Sequence, residues 1–257
     1  MKHVTVSGVE IPVLGFGTWQ LKGDACREAV AHALDLGYRH VDTAQLYGNE
    51  RAVGEAIAAS PIDRDEIFLV TKVRRRNLAP DDLDRTVRES REKLGTDIDL
   101  LLIHSPNPNV SLSDSIAVMN DLQDEGLVGH IGVSNFSVSQ MREAMEVSAT
   151  PILTNQVEYH PFVDQSPLHE FCLETDRLLT AYSPLAEGAV SGNDTLAAIG
   201  EQHGKTVAQV ALRWLVQQPN VAAIPKAASE THRAENFDVF DFELTREETA
   251  RIENLQQ

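Results

Sequence analysis

Short runs of almost wholly apolar residues recur along the chain, and a longer stretch of helical periodicity follows most of them. The runs are 39–42 (RHVD), 67–72 (IFLVTK), 98–105 (IDLLLIHS), 130–135 (HIGVSN), 152–156 (ILTNQ), 178–183 (LLTAYS) and 221–226 (VAAIPK). An apolar run without alternation suits a strand covered on both faces, as the strands of a parallel sheet are. Between the runs, apolar residues at helical spacing predict helices over 26–36, 81–94, 113–125 and 207–217, with acidic or Ser/Thr residues near several starts. The repeating unit is a strand followed by a helix.

The polar residues that end these strands are Thr18, Asp42, Lys72, His104, Ser134, Gln156, Ser183 and Lys226. They stand roughly 30 residues apart, the length of one βα unit, and eight such units predict a (β/α)8 barrel. The competing architecture, an open doubly wound sheet, would carry a G-x-G-x-x-G turn after its first strand, and none is present. Upstream, HVTV at 3–6 and IPVL at 11–14 flank Ser7-Gly8-Val9-Glu10 and predict a hairpin that plugs the barrel's N-terminal end. A last helical segment closes the chain, and no linker divides it, so residues 1–257 are expected to form one domain. Closing the barrel would bring the eight polar residues to one face, where active sites of this fold lie.

Composition narrows the function. The chain carries 22 basic and 39 acidic residues, a net charge of −17, which speaks against a nucleic-acid surface. No apolar stretch approaches the ~18 residues of a membrane span, and no secretory signal opens the chain. Cys26 and Cys172 are too few for a disulfide framework and read as buried thiols in a reducing cytoplasm. The nine histidines are scattered, so no metal is expected. Lysines occur only at 2, 22, 72, 93, 205 and 226, the other cations being arginines. An acid excess of this size repels itself unless salt screens it, which predicts adaptation to a salty cytoplasm. A monomer is expected.

Asp42, Tyr47, Lys72 and His104 fall at or just past three successive strand ends. A phenol with a pKa of about 10 is a poor acid at neutral pH, and a neighbouring ammonium such as Lys72 would lower that value. Asp42 would supply the lysine's counter-charge, and His104 could hydrogen-bond a carbonyl oxygen. Taken singly, each has a bland reading, the aspartate as a helix cap and the histidine as a satisfied polar group.

Local sequence argues for the joint reading. Residues 37–54, GYRHVDTAQLYGNERAVG, resemble the signature segment of the aldo-keto reductase superfamily, and further matches follow in the family's order. They are GFGTW at 15–19, TKV at 71–73, LIH at 102–104, GVSNF at 132–136, NQVEYHP at 155–161, AYSPL at 181–185 and IPK at 224–226. The resemblance implies reversible reduction of aldehydes or ketones with NADP(H), NAD(H) use being a further expectation. It makes Tyr47 the general acid, tuned by Asp42 and Lys72, with His104 orienting the carbonyl.

It also implies the cofactor contacts. Ser134, Asn135 and Gln156 would hold the carboxamide, and Tyr182 would stack on the nicotinamide. Gly17, Thr18, Trp19, Asp42, Ser183 and Leu185 would line the same cleft, with Glu235 and Asn236 on the adenine side. Around the adenosine 2′-phosphate, Lys226 is kept, but Ala227 lacks the hydroxyl common in relatives, and His232 stands where an Arg is usual. A weakened preference for NADPH is therefore expected, with Arg233, one position on, as the candidate substitute. Trp19, Tyr47, His104 and Ser105 would line the substrate pocket, Ser105 replacing a common Trp. Short segments after His104 predict an open pocket for small aldehydes, dicarbonyls or sugar-derived carbonyls, or the matching alcohols. Arg74-Arg75-Arg76 reads as a solvated loop beside the mouth, with attraction of anions as its functional alternative. A regulatory barrel without turnover would predict a damaged tetrad, whereas all four residues are intact; a non-redox barrel enzyme is the other alternative.

Overall fold

The computed structural model describes residues 1–256. Strands β1 (His3–Val6) and β2 (Val9–Pro12) pair antiparallel with Val6 opposite Val9. The second strand begins at Val9 and not at Ile11 as the apolar pattern suggested. Ser7 (φ 49°) and Gly8 (φ 79°) make a two-residue turn with both φ values positive, so pairing resumes at once. Val6 and Ile11 pack with Val70, Leu100, Leu102 and Leu153 in the inner core, which seats the hairpin on the barrel floor.

Eight parallel strands follow in chain order: β3 (Phe16–Gly17), β4 (His40–Asp42), β5 (Phe68–Val73), β6 (Ile98–Ile103), β7 (Val128–Ser134), β8 (Ile152–Glu158), β9 (Leu178–Tyr182) and β10 (Val221–Ala223). The ring closes where Leu14 pairs with Ala223; Gly15 N donates to Ala223 O (2.8 Å) and Gly17 N to Pro225 O (3.0 Å). A Cβ on Gly17 would stand 2.7 Å from Ile224 O, so the seam requires glycine there.

Along β6, Leu100 and Leu102 join the inner core, while Leu101 and Ile103 join the larger core beneath the helices. Two buried faces explain the run of continuous hydrophobicity. The helices are α1 (Gly23–Leu36), α2 (Glu50–Ala59), α3 (Pro80–Leu94), α4 (Leu112–Asp124), α5 (Val138–Val147), α6 (Ser166–Glu174), α7 (Asp194–His203), α8 (Val207–Gln217), α9 (Glu230–Phe237) and α10 (Arg246–Glu253). The pattern over 207–217 matches α8, which a Thr206/Gln209 capping box starts. Cys26 and Cys172 are buried thiols whose pKa values burial pushes up to about 11 and about 12. Among the described residues no helix is long and apolar enough to cross a membrane, and no group of three His, Cys, Asp or Glu could hold a metal.

Candidate active site

The C-terminal ends of β4, β5 and β6 bring the predicted tetrad together. Asp42 ends β4, Lys72 lies one residue from the end of β5, and both side chains are almost fully buried. Lys72 Nζ donates to Asp42 Oδ1 (2.5 Å) and to Thr43 O (2.9 Å), while Gln156 Nε2 donates to Asp42 Oδ2 (2.8 Å). Both oxygens of the carboxylate are therefore used, as a buried charge requires. Burial alone would push the lysine toward the neutral amine; Asp42 and Tyr47 outweigh it, and the pKa moves up, keeping the ammonium.

Tyr47 ends a 3₁₀ turn, Gln45–Tyr47, which Gly48 (φ 63°) terminates in the left-handed region. Its ring lies 5.1 Å from Lys72 Nζ, 5.9 Å from the His104 ring in a T-shaped arrangement, and 4.9 Å from Trp19. The sequence reading expected Lys72 to lower the phenol's pKa, and the net direction is the reverse. Burial raises it more than Lys72 lowers it. Lys72 does favour the phenolate, by its charge and a hydrogen bond, but the adjacent Asp42 carboxylate opposes it and burial exceeds both. At neutral pH Tyr47 is a phenol with a proton to give. Burial, then the charge of Lys72, pushes His104 down to about 4, so its imidazole is neutral; its Nδ1 is buried without a partner.

A second set of residues is knitted to this one. Ser134 ends β7 and donates to Gln156 O (2.7 Å). Asn135 follows in the left-handed region (φ 62°), which Asn tolerates better than most residues, and its Nδ2 donates to His104 O (3.0 Å) and Ser134 Oγ (3.1 Å). Tyr182 ends β9 and donates its hydroxyl to Asn135 Oδ1 (2.9 Å), with Ser183 (φ 46°) turning the chain away toward half-buried Leu185. Thr18 is fully buried, and its hydroxyl is spent on Asp42 O (2.9 Å) beside Gly17; exposed Trp19 projects past them. Ser105, half-buried, follows His104.

The remaining predicted contacts lie on the loop after β10 and on α9. Lys226 and His232 are exposed, Ala227 and Asn236 buried, and Glu235 half-buried. Arg233 turns inward: it donates to Ala228 O (2.8 Å), Ala227 O (3.3 Å) and His32 Nδ1 (3.2 Å). A guanidinium spent on its own loop does not take over from an arginine at 232. The hydroxyl of Ser134 and the side-chain amides of Asn135 and Gln156, a half-buried aromatic ring at Tyr182 and an exposed cation at Lys226 fit a nicotinamide dinucleotide.

Sequence reasoning missed Asn49, and it placed Arg74 only in a solvated loop beside the mouth. Buried Asn49 accepts from Thr43 Oγ1 (2.7 Å) and donates to Thr18 O (2.9 Å) and Leu21 O (3.1 Å), pinning the Tyr47 turn to the β3 loop. Its position inside the 37–54 signature was the available signal. Arg74 Nη2 donates to Leu46 O (3.1 Å), beside Tyr47.

The chain matches the Aldo/keto reductase family over residues 13–257. It is 40% identical to the methylglyoxal reductase DkgB of Yersinia pestis over 89% of this chain and 87% of that protein. A crystal structure provisionally described as a 2,5-diketo-D-gluconic acid reductase B shares 47% identity with a TM-score of 0.98, covering all of this chain and 92% of the other. The Bombyx mori aldo-keto reductase AKR2E4, solved in complex with NADP, superposes with a TM-score of 0.91 at 33% identity over 99% of this chain and 92% of its own. With the barrel and its strand-end geometry, these matches place the chain in the aldo/keto reductase family.

Proposed function

We propose that this aldo/keto reductase, an NAD(P)H-dependent oxidoreductase, reduces small aldehydes and dicarbonyls with Tyr47 as the proton donor. The observation that carries the reading is a neutral phenol set between a buried ammonium and a neutral imidazole. The nicotinamide, when bound, supplies the hydride. Tyr47 gives its proton to the carbonyl oxygen as negative charge develops there, and Lys72 stabilises the phenolate that remains. Asp42 holds Lys72 in place and charged. His104, with no positive charge of its own, aligns the carbonyl by a hydrogen bond. Ser134, Asn135 and Gln156 hold the carboxamide, and Tyr182 fixes which face of the ring is presented.

Trp19 and Leu46 are exposed and Ser105 half-buried, an open mouth that suits small dicarbonyl and sugar-derived substrates like those in the relatives' names. Neither Ala227 nor His232 supplies a phosphate clamp and Arg233 is spent elsewhere, so we expect both cofactors to bind with the NADPH preference weakened. One barrel domain acting as a monomer in a salty cytoplasm completes the reading. The test is Tyr47→Phe: carbonyl reduction should fall by about 10²-fold or more, with cofactor affinity nearly intact. Wild-type rates in that variant would remove Tyr47 from the role.

A further inference from the structure

The net charge of −17 is not spread evenly around the site. On α3, Arg85, Arg88 and Arg91 each stand 2.6–2.7 Å from a carboxylate. Around the Tyr47 turn the pattern reverses. Lys22 Nζ donates to Tyr47 O from one side, and Arg74 Nη2 donates to Leu46 O from the other. Among the described residues, neither cation, nor Arg75 or Arg76 next along the loop, has a carboxylate within 4.0 Å, and the ion pair next to Tyr47 is the buried Lys72–Asp42.

Arg74 is built in as well as unpaired. It directly follows β5, two residues beyond Lys72, and its main chain is held by Gln45, whose Oε1 accepts from Arg74 N at 3.1 Å. Its Nε is buried without a partner, and its charge reaches far enough to help lower the pKa of His104. Glu50, the acid at the start of α2, feels its charge but makes no ion pair with it within 4.0 Å: that carboxyl is buried and accepts from Thr71 Oγ1 at 2.8 Å. The sealed Nε cannot meet a ligand, but Nη1 makes no hydrogen bond and is not buried, and Nη2 is used only by Leu46 O, so the outer edge of this guanidinium, close to the proton donor's turn, is open to an anion.

Resting on the carbonyl-reductase reading above, we infer that Arg74 is a specificity residue that binds a carboxylate on the substrate, so that the preferred substrates are short aldehyde or keto acids. Apolar Trp19, whose ring lies 4.9 Å from that of Tyr47, and Leu46 are both about half exposed (45% and 46%) and would line a substrate with its carbonyl at Tyr47 and its carboxylate at Arg74. An anionic substrate also needs a local cationic target to approach so acidic a protein, and the Lys22/Arg74–Arg76 patch provides one.

The experiment compares succinic semialdehyde with uncharged butanal, as a ratio of kcat/KM at saturating NADPH and low ionic strength. In the wild type the acid should be favoured. Arg74→Gln should lower the ratio by about ten- to a hundredfold, the worth of one hydrogen-bonded charge pair, mainly through KM for the acid. Arg74→Lys, which keeps the charge but not the fork, should retain part of the preference, and added KCl should erode the wild-type ratio. An unchanged ratio in Arg74→Gln, with a far-ultraviolet spectrum like the wild type's, would overturn the inference. So would a loss that appears as weaker NADPH binding with both aldehydes, since the patch would then serve the cofactor's phosphates. If the wild type reduces neither aldehyde, the carbonyl-reductase reading falls; if it reduces butanal without preferring the acid, only Arg74's role falls.

Discussion

Tyr47 and His104 share one wall of the site, and burial drives both to their neutral forms from opposite sides. For His104 the folded pKa of about 4 lies below the ordinary 6.5, so the folded protein binds fewer protons than the unfolded chain between those values. Stability tied to this residue is therefore fully present above about pH 6.5 and is lost as pH falls toward 4. An NMR titration of the His104 ring should give a midpoint near 4, and Lys72→Met should move it up, because a buried positive charge is removed. A wild-type midpoint at 6.5 would mean the site is wetter than its packing indicates. Cofactor choice belongs to this scale too. His232 is exposed, so a fixed charge there acts through solvent and is worth only about 1 kcal/mol. His232→Arg should tighten NADPH binding by roughly fivefold while leaving NADH unchanged, as read from the two dissociation constants.

Among the elements, the contact of α2 with α3 sets the geometry behind the tetrad. Gly54 lets the two backbones meet: a Cβ there would lie 2.1 Å from Leu94 O and 2.6 Å from its carbonyl carbon. Both atoms belong to a helix terminus that cannot swing aside as a flexible side chain can. Gly54→Ala should therefore destabilise by about 1–3 kcal/mol or more, and each kcal/mol should lower Tm by roughly 2–4 °C. The α2 start carries Asn49 and Glu50, which tie the Tyr47 turn to β3 and β5. Displacing the helix should also lower kcat, so activity and Tm in this variant should fall together. A fully active variant with wild-type Tm would show that α2 has room to move.

For the whole molecule, the competition is between net charge and local pairing. Surface pairs such as Arg88–Glu125 (2.7 Å) are weakened by salt, but exposed pairs contribute only about 0–1 kcal/mol each. The repulsion among 39 acidic residues acts over the whole surface and is screened at molar salt, where the Debye length is about 3 Å. We expect Tm in molar KCl to exceed that in dilute buffer, by thermal melting; equal or lower stability in salt would assign the acid excess to another cause. The barrel, its strand order and the strand-end positions of Asp42 and Lys72 were legible in the chain, because a strand with two buried faces is continuously apolar and the polar residue near its end is an exception. The 37–54 segment was legible for another reason, since its residues are near neighbours along the chain. The direction of Tyr47's pKa shift, the inward turn of Arg233, the linkage through Asn49 and the unpaired state of Arg74 were not. Each depends on which groups from distant segments meet in a desolvated space: Lys72 is occupied by Asp42 from another strand, and Arg233 by carbonyls of the loop it closes. Such balances of burial and charge exist only after closure of the barrel, so tertiary structure alone decided them.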